Sequence, residues 1–214
     1  MVKFISFEQA ASMIKDGMTI MYGGFMACGS PNKLINAIAK SGVKNLTVIG
    51  NDTAFIDKGI GILITNKQVK KVIASHIGTN PNTIDQMNNK EIEVELCPQG
   101  SLIERIRAAG AGLGGVLTPT GLGTIVAEGK QIVNVDGKDF LLEKPLKADI
   151  AIIGASKGDK AGNLWYRGTT QNFNPLIATA ADLVIAEVEE LVEIGEIEPE
   201  NVKTQGIFVN YIVK

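Results

Sequence analysis

The sequence is poor in the residues that hold metal ions and disulfide frameworks. Its 214 residues include two cysteines, Cys28 and Cys97, and one histidine, His76. There is no Cys-x-x-Cys pair, and structural zinc needs four ligands that are mostly cysteine or histidine, so we expect no metal site. Two cysteines in a cytosolic chain of this size are normally reduced thiols.

Long hydrophobic runs and an excess of one charge are also missing. No apolar run reaches the about 18 residues of a membrane-spanning helix, and residues 1–5 do not begin a signal peptide. Lysine and arginine number 21 and aspartate and glutamate 23, which gives a net charge of −2. This balance offers nucleic acid or an anionic membrane no electrostatic attraction. We therefore expect a cytoplasmic protein without nucleic-acid or membrane partners.

Short apolar segments alternate with helical patterns along the chain. Runs typical of buried strands lie at residues 18–22, 46–49, 71–75, 149–153 and 182–186, with further strands predicted at 92–96 and 207–213. Apolar residues at helical spacing predict helices within residues 6–16, 30–42, 79–89, 101–109 and 174–181. This alternation predicts one α/β domain over residues 1–214, with a mainly parallel sheet flanked by helices in three layers.

One glycine-rich segment joins the clearest strand pattern to the clearest helix pattern. It reads Tyr22-Gly23-Gly24-Phe25-Met26-Ala27-Cys28-Gly29-Ser30-Pro31. Ser30 is placed to cap the helix, Pro31 suits its first position, and Gly42 ends it. The glycines and the helix N-terminus suit close approach of an anion or nucleotide, while a tight turn with glycines for packing is the other interpretation. The spacing is neither a dinucleotide fingerprint nor a P-loop.

Polar or glycine-rich segments follow four of the predicted strands. They comprise residues 23–29, 51–53, 76–79 and 97–101. Because ligands of such sheets bind at the carboxyl ends of the strands, we expect these segments to share one edge. Asn51 and Asp52 should then reach the ligand edge, although both residue types also favour local turns.

Several reactive or charged side chains have a functional and a structural interpretation. Cys28, near a helix start, is either a nucleophile or a small filler, and His76 is either a base or a structural donor. Trp165 and Tyr166 either contact a partner or plug their loop onto the core. Glu104, Arg105 and Arg107 are predicted to form a solvated helix face. A cluster of carboxylates that follows a strand is predicted to be a solvated acidic turn, with metal-ligand spacing as the alternative: Glu187, Glu189, Glu190, Glu193 and Glu196.

The middle of the chain has a different character. Residues 110–123 are rich in glycine and almost free of charge. A solvated linker is usually polar, so we expect this segment to pack against a ligand or a partner chain. The Asp136-Gly137 pair between two β-rich runs predicts a hairpin with a two-residue turn.

The glycine segment resembles the first signature of the family I CoA-transferases, also called 3-oxoacid CoA-transferases, in which Gly-Gly-Phe, three residues and Gly-x-Pro follow a strand. The resemblance continues through Asn51-Asp52-Thr53, Glu95-Leu96-Cys97-Pro98-Gln99-Gly100-Ser101-Leu102 and Gly110-Ala111-Gly112, and the chain is similar in length and order to an α subunit. It implies the CoA-transferase (NagB/RpiA-like) fold. It also implies transfer of CoA between an acyl-CoA, such as acetoacetyl-CoA or butyryl-CoA, and a short-chain carboxylate such as acetate.

The resemblance also implies a division of labour. In this family a glutamate within a Ser-Glu-Asn-Gly run forms a glutamyl-CoA thioester, and no glutamate of this chain has that setting. We therefore expect the nucleophile on a partner β subunit, an α2β2 assembly, a CoA thioester as substrate and no tightly bound cofactor. Asn51 and Gln99 would offer uncharged amide donors to a carboxylate. The CoA- and substrate-binding residues implied are Gly23, Gly24, Phe25, Met26, Ala27, Cys28, Gly29, Asn51 and Gln99.

Two alternatives remain open from the residues. Sugar-phosphate isomerases and deaminases share a related sheet and glycine loops, but the sequence has no basic or Ser/Thr-rich segment suited to phosphate. A non-catalytic ligand sensor is the second alternative, since fold does not fix function. Such a sensor usually carries a DNA-binding helix-turn-helix, for which this chain has neither room nor basic surface.

Overall fold

The structure, a computed structural model, describes residues 2–214. The strands are β1 (Lys3–Phe4), β2 (Thr19–Tyr22), β3 (Leu46–Asp52), β4 (Val69–His76), β5 (Glu93–Leu96), β6 (Val116–Thr118), β7 (Ile132–Val135), β8 (Lys138–Glu143), β9 (Ala148–Asp159), β10 (Leu164–Trp165), β11 (Ala181–Val192) and β12 (Tyr211–Val213). The helices are α1 (Phe7–Ser12), α2 (Asn32–Ser41), α3 (Gly61–Thr65), α4 (Pro81–Asn88), α5 (Gln99–Gly110) and α6 (Asn174–Ile177).

A mainly parallel sheet forms the centre of the molecule. Its order is β1-β12-β11-β9-β2-β3-β4-β5, with β10 pairing antiparallel to β9. The chain runs from β2 outward through β3, β4 and β5, and later fills the other side through β9, β11 and β12. The strand order therefore reverses between β2 and β9, the position at which open sheets of this kind bind ligands. The predicted parallel sheet is confirmed, and the glycine segment begins at this reversal.

The central strands bury both faces in two separate hydrophobic cores. Ile20 and Tyr22 of β2 pack in one core with side chains of α1 and α2, whereas Met21 packs in the other with α5 and α6. Helices therefore cover both faces, and the three-layer prediction is confirmed. Within residues 2–214, none of these helices combines the length and apolarity needed to cross a membrane.

A second, three-stranded antiparallel sheet has the order β6-β8-β7. The predicted hairpin is confirmed: Asp136 and Gly137 form the turn between β7 and β8 with φ of 51° and 79°. Strand β6 comes from the glycine-rich segment and pairs with β8 from Val116 to Thr118. Part of the segment therefore forms an edge strand of this small sheet, of which the sequence predicted only the hairpin.

Arg105 is buried, so its prediction as a solvated charge is wrong. Its Nη1 lies 2.8 Å from Glu95 Oε1, and its Nε donates to the Lys144 carbonyl at 3.0 Å. The adjacent Glu143 is 1% exposed and accepts from Lys130 Nζ at 2.6 Å. The small sheet packs over α5 and removes water from this face, and buried charges must then be paired. The network ties the small sheet to α5 and β5.

The sequence misplaced several element boundaries. The strand predicted at 207–213 is limited to Tyr211–Val213, because residues 206–208 form a 3-10 turn closed by Val209 N and Gly206 O at 3.1 Å. Strands β9 and β11 are longer than predicted, since they pair with each other as far as Asp159 and Val192. Helix α6 ends at Ile177 rather than near 181, and α3 was not predicted.

Tyr166 plugs its loop onto the core. The side chain is buried and its hydroxyl lies 2.7 Å from Thr204 Oγ1. Trp165, its neighbour in β10, is half-buried. Of the two interpretations of this pair, the structure supports core packing for Tyr166.

Candidate active site

The glycine segment forms a tight turn directly after β2. Phe25 and Cys28 exchange two backbone hydrogen bonds, with N···O distances of 3.0 and 2.9 Å. Met26 and Ala27 at the tip have φ of 48° and 64°. Left-handed backbone at residues other than glycine costs on the order of 1–3 kcal/mol each and persists only where surrounding contacts enforce it. The turn therefore depends on support from other segments.

Asp52 supplies part of that support. Its Oδ2 accepts from Met26 N at 2.9 Å, and its Oδ1 accepts from Ala54 N at 2.8 Å. The side chain is 3% exposed and both oxygens are bonded within the chain. Asp52 lies at the carboxyl end of β3, as expected, and of its two interpretations the turn is supported, because its carboxylate anchors the glycine turn. The Asp52 carbonyl accepts from the Tyr22 hydroxyl at 2.7 Å, and burial raises the pKa of Tyr22 well above its ordinary value.

Asn172 in the loop before α6 and Asn174, the first residue of α6, hold the turn from the other side. Asn172 Oδ1 accepts from Gly24 N, and its Nδ2 donates to the Cys28 carbonyl, both at 3.0 Å. Asn174 is fully buried and its Nδ2 donates to the Gly29 carbonyl at 3.0 Å. The turn is thus fixed by a loop more than 140 positions away in sequence.

Two of the glycines are required by close packing. A Cβ on Gly23 would lie 1.6 Å from Asn174 Oδ1. A Cβ on Gly24, whose φ is 128°, would lie 1.9 Å from Ser30 Oγ. A side chain on Gly23 would push the turn away from Asn174, and one on Gly24 would collide with Ser30 of the same segment. The packing interpretation therefore holds for both glycines.

The N-terminus of α2 is capped by a carboxylate from another strand. The helix begins at Asn32, and Glu187 accepts from Lys33 N at 3.3 Å and from Leu34 N at 2.9 Å. The prediction of Ser30 as the cap is wrong, because the residue preceding the helix is Pro31, which makes no side-chain cap bond. Glu187 lies within β11 and is half-buried, so its prediction as part of a solvated acidic turn is also wrong.

The Glu187 cap predicts a pH dependence of stability. Burial raises the pKa of Glu187, against the smaller lowering by the amides of Leu34 and Lys33. A carboxyl whose pKa is higher folded than unfolded contributes most stability at low pH, and this is lost as the pH rises through the folded pKa. The free energy of unfolding of Glu187→Gln should therefore rise relative to that of the wild type as the pH increases from about 4, the ordinary carboxyl range, through the raised pKa of Glu187.

Denaturant unfolding of both proteins across this pH range measures the effect. Glu189→Gln is the matched control, since it removes an exposed carboxylate from the same strand. The difference in free energy of unfolding between Glu189→Gln and the wild type should change less with pH. If the free energy of unfolding of Glu187→Gln relative to the wild type stays constant or falls with rising pH, the raised pKa of Glu187 is contradicted.

A pocket of about 570 Å³ opens beside the glycine turn, at the carboxyl edge of β2, β3 and β5. Its walls are largely apolar, and Phe25, Ile103 and Phe173 contribute to them. Three side-chain amides also line it, those of Asn51, Gln99 and Asn172. The pocket thus combines a short apolar space with uncharged hydrogen-bonding groups. Among the residues described, no lysine or arginine lines it.

The Asn51 amide is fixed in one orientation. Gln99 Nε2 donates to Asn51 Oδ1 at 2.7 Å, and Ser75 Oγ lies 3.1 Å from the same oxygen. Asn51 is 3% exposed, and its Nδ2 has no hydrogen-bond partner within residues 2–214. Nδ2 is not one of the fully buried side-chain atoms that lack a partner, so it is open to the pocket, where water or a ligand can accept its hydrogens. The geometry therefore presents Asn51 Nδ2 as a donor to a carbonyl or carboxylate oxygen.

The structure separates the predicted binding residues into two groups. Phe25, Cys28, Asn51 and Gln99 line the pocket. The others shape or flank the turn without lining this pocket: Gly23, Gly24, Met26, Ala27 and Gly29. The expectation that the segments after the strands share one edge is confirmed, because β2 to β5 are parallel neighbours.

Cys28 and His76 do not form a nucleophile and base pair. Cys28 Sγ lies 3.9 Å from Thr169 Oγ1, and no hydrogen bond joins it to His76 within residues 2–214. His76 is exposed, and its ring makes no hydrogen bond to another described residue. In the same part of the chain, no three His, Cys, Asp or Glu side chains gather as a metal site requires.

Sequence reasoning missed the loop that completes the pocket. Thr169, Asn172 and Phe173 line it, and Ile103 of α5 faces them. The available signal was the polar stretch before the Asn174-Pro175 helix start, which interrupts two buried strand patterns. Nothing in that stretch indicates that it packs against the glycine turn.

Comparisons with known proteins agree with this geometry. The family model for coenzyme A transferase matches residues 4–214. The chain is 56% identical over 212 residues to the acetoacetyl-CoA:acetate/butyrate CoA transferase alpha subunit of Clostridium acetobutylicum, covering 99% of this chain and 97% of that one. It is 55% identical over 211 residues to the acetate CoA-transferase subunit alpha of Escherichia coli, covering 99% and 96%.

Solved structures show the same fold. An acyl-CoA transferase of Escherichia coli O157:H7, in a thioester complex with CoA, superposes with a TM-score of 0.88 at 25% identity. The match covers 99% of this chain but 49% of that longer one. Glutaconate coenzyme A-transferase from Acidaminococcus fermentans gives a TM-score of 0.87 at 20% identity, over 99% of this chain and 75% of that one, which supports the fold alone. From the family model and the two relatives, this chain belongs to the coenzyme A transferase family.

Proposed function

We propose that this chain is the α subunit of a two-subunit CoA-transferase. The enzyme moves CoA between an acyl-CoA, such as acetoacetyl-CoA or butyryl-CoA, and a short-chain carboxylate such as acetate. The names of the two relatives above support this substrate class. The observation that carries the proposal is the pocket in which Asn51 Nδ2 lacks a partner beside apolar walls. A short acid needs one polar contact for its carboxylate and apolar surface for its chain.

The nucleophile comes from the partner in this proposal. A β-subunit glutamate attacks the acyl-CoA carbonyl, and the CoA thiolate leaves. The thiolate then attacks the acyl-glutamyl anhydride to give a glutamyl-CoA thioester and free acid, and the second acid takes CoA by the reverse steps. Asn51 Nδ2 stabilises the oxyanion that develops at the acyl carbon. Gln99 is a positioning residue, because its Nε2 holds Asn51 Oδ1.

The remaining predicted residues have supporting roles. The turn formed by Gly23, Gly24, Phe25, Met26, Ala27, Cys28 and Gly29 forms one wall against which the thioester end of CoA lies. No cofactor is tightly bound, since CoA enters and leaves as substrate. A sugar-phosphate enzyme is less well supported, because the described pocket has no lysine or arginine to neutralise a phosphate.

The β subunit is proposed to contact the small antiparallel sheet and the glycine-rich segment beside it. Leu113, Leu117 and Ile132 are 54%, 43% and 54% exposed there. The strand register places Leu117 and Ile132 on opposite faces of the small sheet, so each face offers one exposed apolar side chain to a partner. We propose two copies of each subunit, with residues 1–214 acting as one domain.

Isolation of the tagged chain from its native cell tests the proposal. A partner of similar size in equal amount, containing Ser-Glu-Asn-Gly, is expected. The pair should transfer CoA from acetoacetyl-CoA to acetate, whereas the chain alone should show no turnover. Turnover by the chain alone, or an assembled pair without transfer activity, would refute the division of labour.

The width of the pocket predicts substrate preference. Ile103→Phe in the assembled enzyme should narrow the apolar space, so kcat/KM for butyrate should fall more than that for acetate. A difference of about 1–3 kcal/mol, or roughly 10–200-fold in the ratio, is typical for one or two methylenes. Ile62→Phe is the matched control, because Ile62 lines a neighbouring cleft outside this pocket. An unchanged ratio in Ile103→Phe would place the acyl chain elsewhere.

A further inference from the structure

Cys28 is an accessible thiol in the wall of the pocket. It is exposed and free, and it lines the same pocket as Asn51 and Gln99. Its sulfur makes one long contact, to Thr169 Oγ1 at 3.9 Å. A second group in the pocket points to a ligand: Asn51 is 3% exposed, and its Nδ2 donates to no residue within 2–214 and opens into the pocket as a free donor.

The proposed function brings one particular sulfur into this space. The acyl carbon of an acyl-CoA is bonded to the CoA sulfur, so a carbonyl bound at Asn51 places that sulfur within the pocket that Cys28 lines. A CoA disulfide has its S–S bond at the same position in the molecule. Binding therefore holds a reactive disulfide beside a thiol, which raises the local concentration of the reacting groups.

We propose that Cys28 is a thiol–disulfide exchange site at which coenzyme A disulfide attaches coenzyme A to this chain and closes the acyl pocket. This inference rests on the proposed function. The Cys28 thiolate attacks one sulfur of CoA–S–S–CoA and forms a Cys28–S–S–CoA bond. The original S–S bond breaks and the second CoA leaves as thiolate, so Cys28 is oxidised and one half of the disulfide is reduced. A free thiol reverses the step.

The second cysteine of the chain, Cys97, is an internal control for the reactivity of Cys28. Cys97 is 3% exposed and its sulfur accepts from Arg105 Nη1 at 3.6 Å. Burial raises the pKa of the Cys97 thiol, which disfavours the reactive thiolate. Exchange should therefore be confined to Cys28.

The test uses the assembled enzyme treated with CoA disulfide. Intact mass and peptide mapping should show one CoA on this chain, at Cys28, with transfer activity lost and then restored by dithiothreitol. CoA disulfide should react about tenfold faster than glutathione disulfide at equal concentration, because only the former is held by the site. Cys28→Ser should take up no CoA and lose no activity relative to its own untreated sample, whereas Cys97→Ala should still be labelled.

Three outcomes would overturn the inference: no adduct, an adduct at Cys97, or equal rates with the two disulfides. If Cys28→Ser does not assemble, protection of wild-type Cys28 from iodoacetamide by acetoacetyl-CoA replaces it, and absence of protection counts against the site. An active transferase that takes up no CoA would refute the exchange site alone. A complex with neither turnover nor protection would refute the proposed function as well.

Discussion

Replacing Asn51 by aspartate should lower kcat/KM of the assembled transferase by about 10²–10³-fold, the loss typical of one removed oxyanion donor. The substitution keeps the side-chain shape and keeps an oxygen for the Gln99 Nε2 bond of 2.7 Å. It replaces the unpaired Nδ2 donor by a carboxylate oxygen. The pocket would then repel the carboxylate substrate and the developing oxyanion, so both kcat and KM should change.

Asn36→Asp is the matched control for this experiment. It introduces the same charge on α2, on an exposed side chain that does not line the pocket. The control should retain nearly full activity and should assemble normally. Steady-state kinetics with acetate and acetoacetyl-CoA, together with the thermal stability of both variants, measure the difference. Equal activity of Asn51→Asp and the wild type would contradict the role of Asn51 as a hydrogen-bond donor to the substrate.

Those parts of the site that follow directly from local pattern could be predicted from the sequence. Asn51 follows a buried strand, and parallel strands end at a common edge, so its position followed from the alternation of strands and helices. Gln99 was placed by the resemblance of its segment to the CoA-transferases. Both were predicted, and both line the pocket.

Contacts between distant segments could not be predicted in this way. Asn172 contacts Cys28, which lies 144 positions earlier. Glu187 caps a helix that begins 155 residues before it, since the helix starts at Asn32. Arg105 is buried by the small sheet, since Glu143 at the end of β8 and Lys144 just after it lie nearby. A charge pattern shows which face of a helix is polar, but not whether another segment covers that face.

The strained turn needs several polar side chains behind the pocket, because its left-handed residues persist only where hydrogen bonds hold them. A second turn of similar form follows β3, in which Phe55 and Lys58 form a bridge, as Phe25 and Cys28 do after β2. Asp52 joins the two, because one oxygen accepts from Met26 and the other from Ala54, whose φ is 51°. The carboxylate therefore holds left-handed residues in both turns and fixes the wall of the pocket relative to Asn51.

Asp52→Ala should accordingly damage both stability and activity. It leaves two backbone N–H groups without their acceptor and releases the strain at Met26, for an expected loss of about 2–3 kcal/mol in the free energy of unfolding. A turn that relaxes by about 1 Å would lower kcat/KM roughly 10²-fold even in molecules that remain folded. Denaturant unfolding and kinetics well below the unfolding transition measure the two effects separately.

Two further variants distinguish anchoring from a general loss of charge. Asp52→Asn keeps one acceptor oxygen, so it can satisfy Met26 or Ala54 but not both, and it should fall between Asp52→Ala and the wild type. Asp57→Ala removes an exposed carboxylate from the second turn and should change little. Because the anchor acts through geometry, Asp52→Asn should lose more activity than Asp57→Ala although both remove one negative charge. Equal effects of these two variants would mean that charge, and not the paired hydrogen bonds, accounts for the role of Asp52.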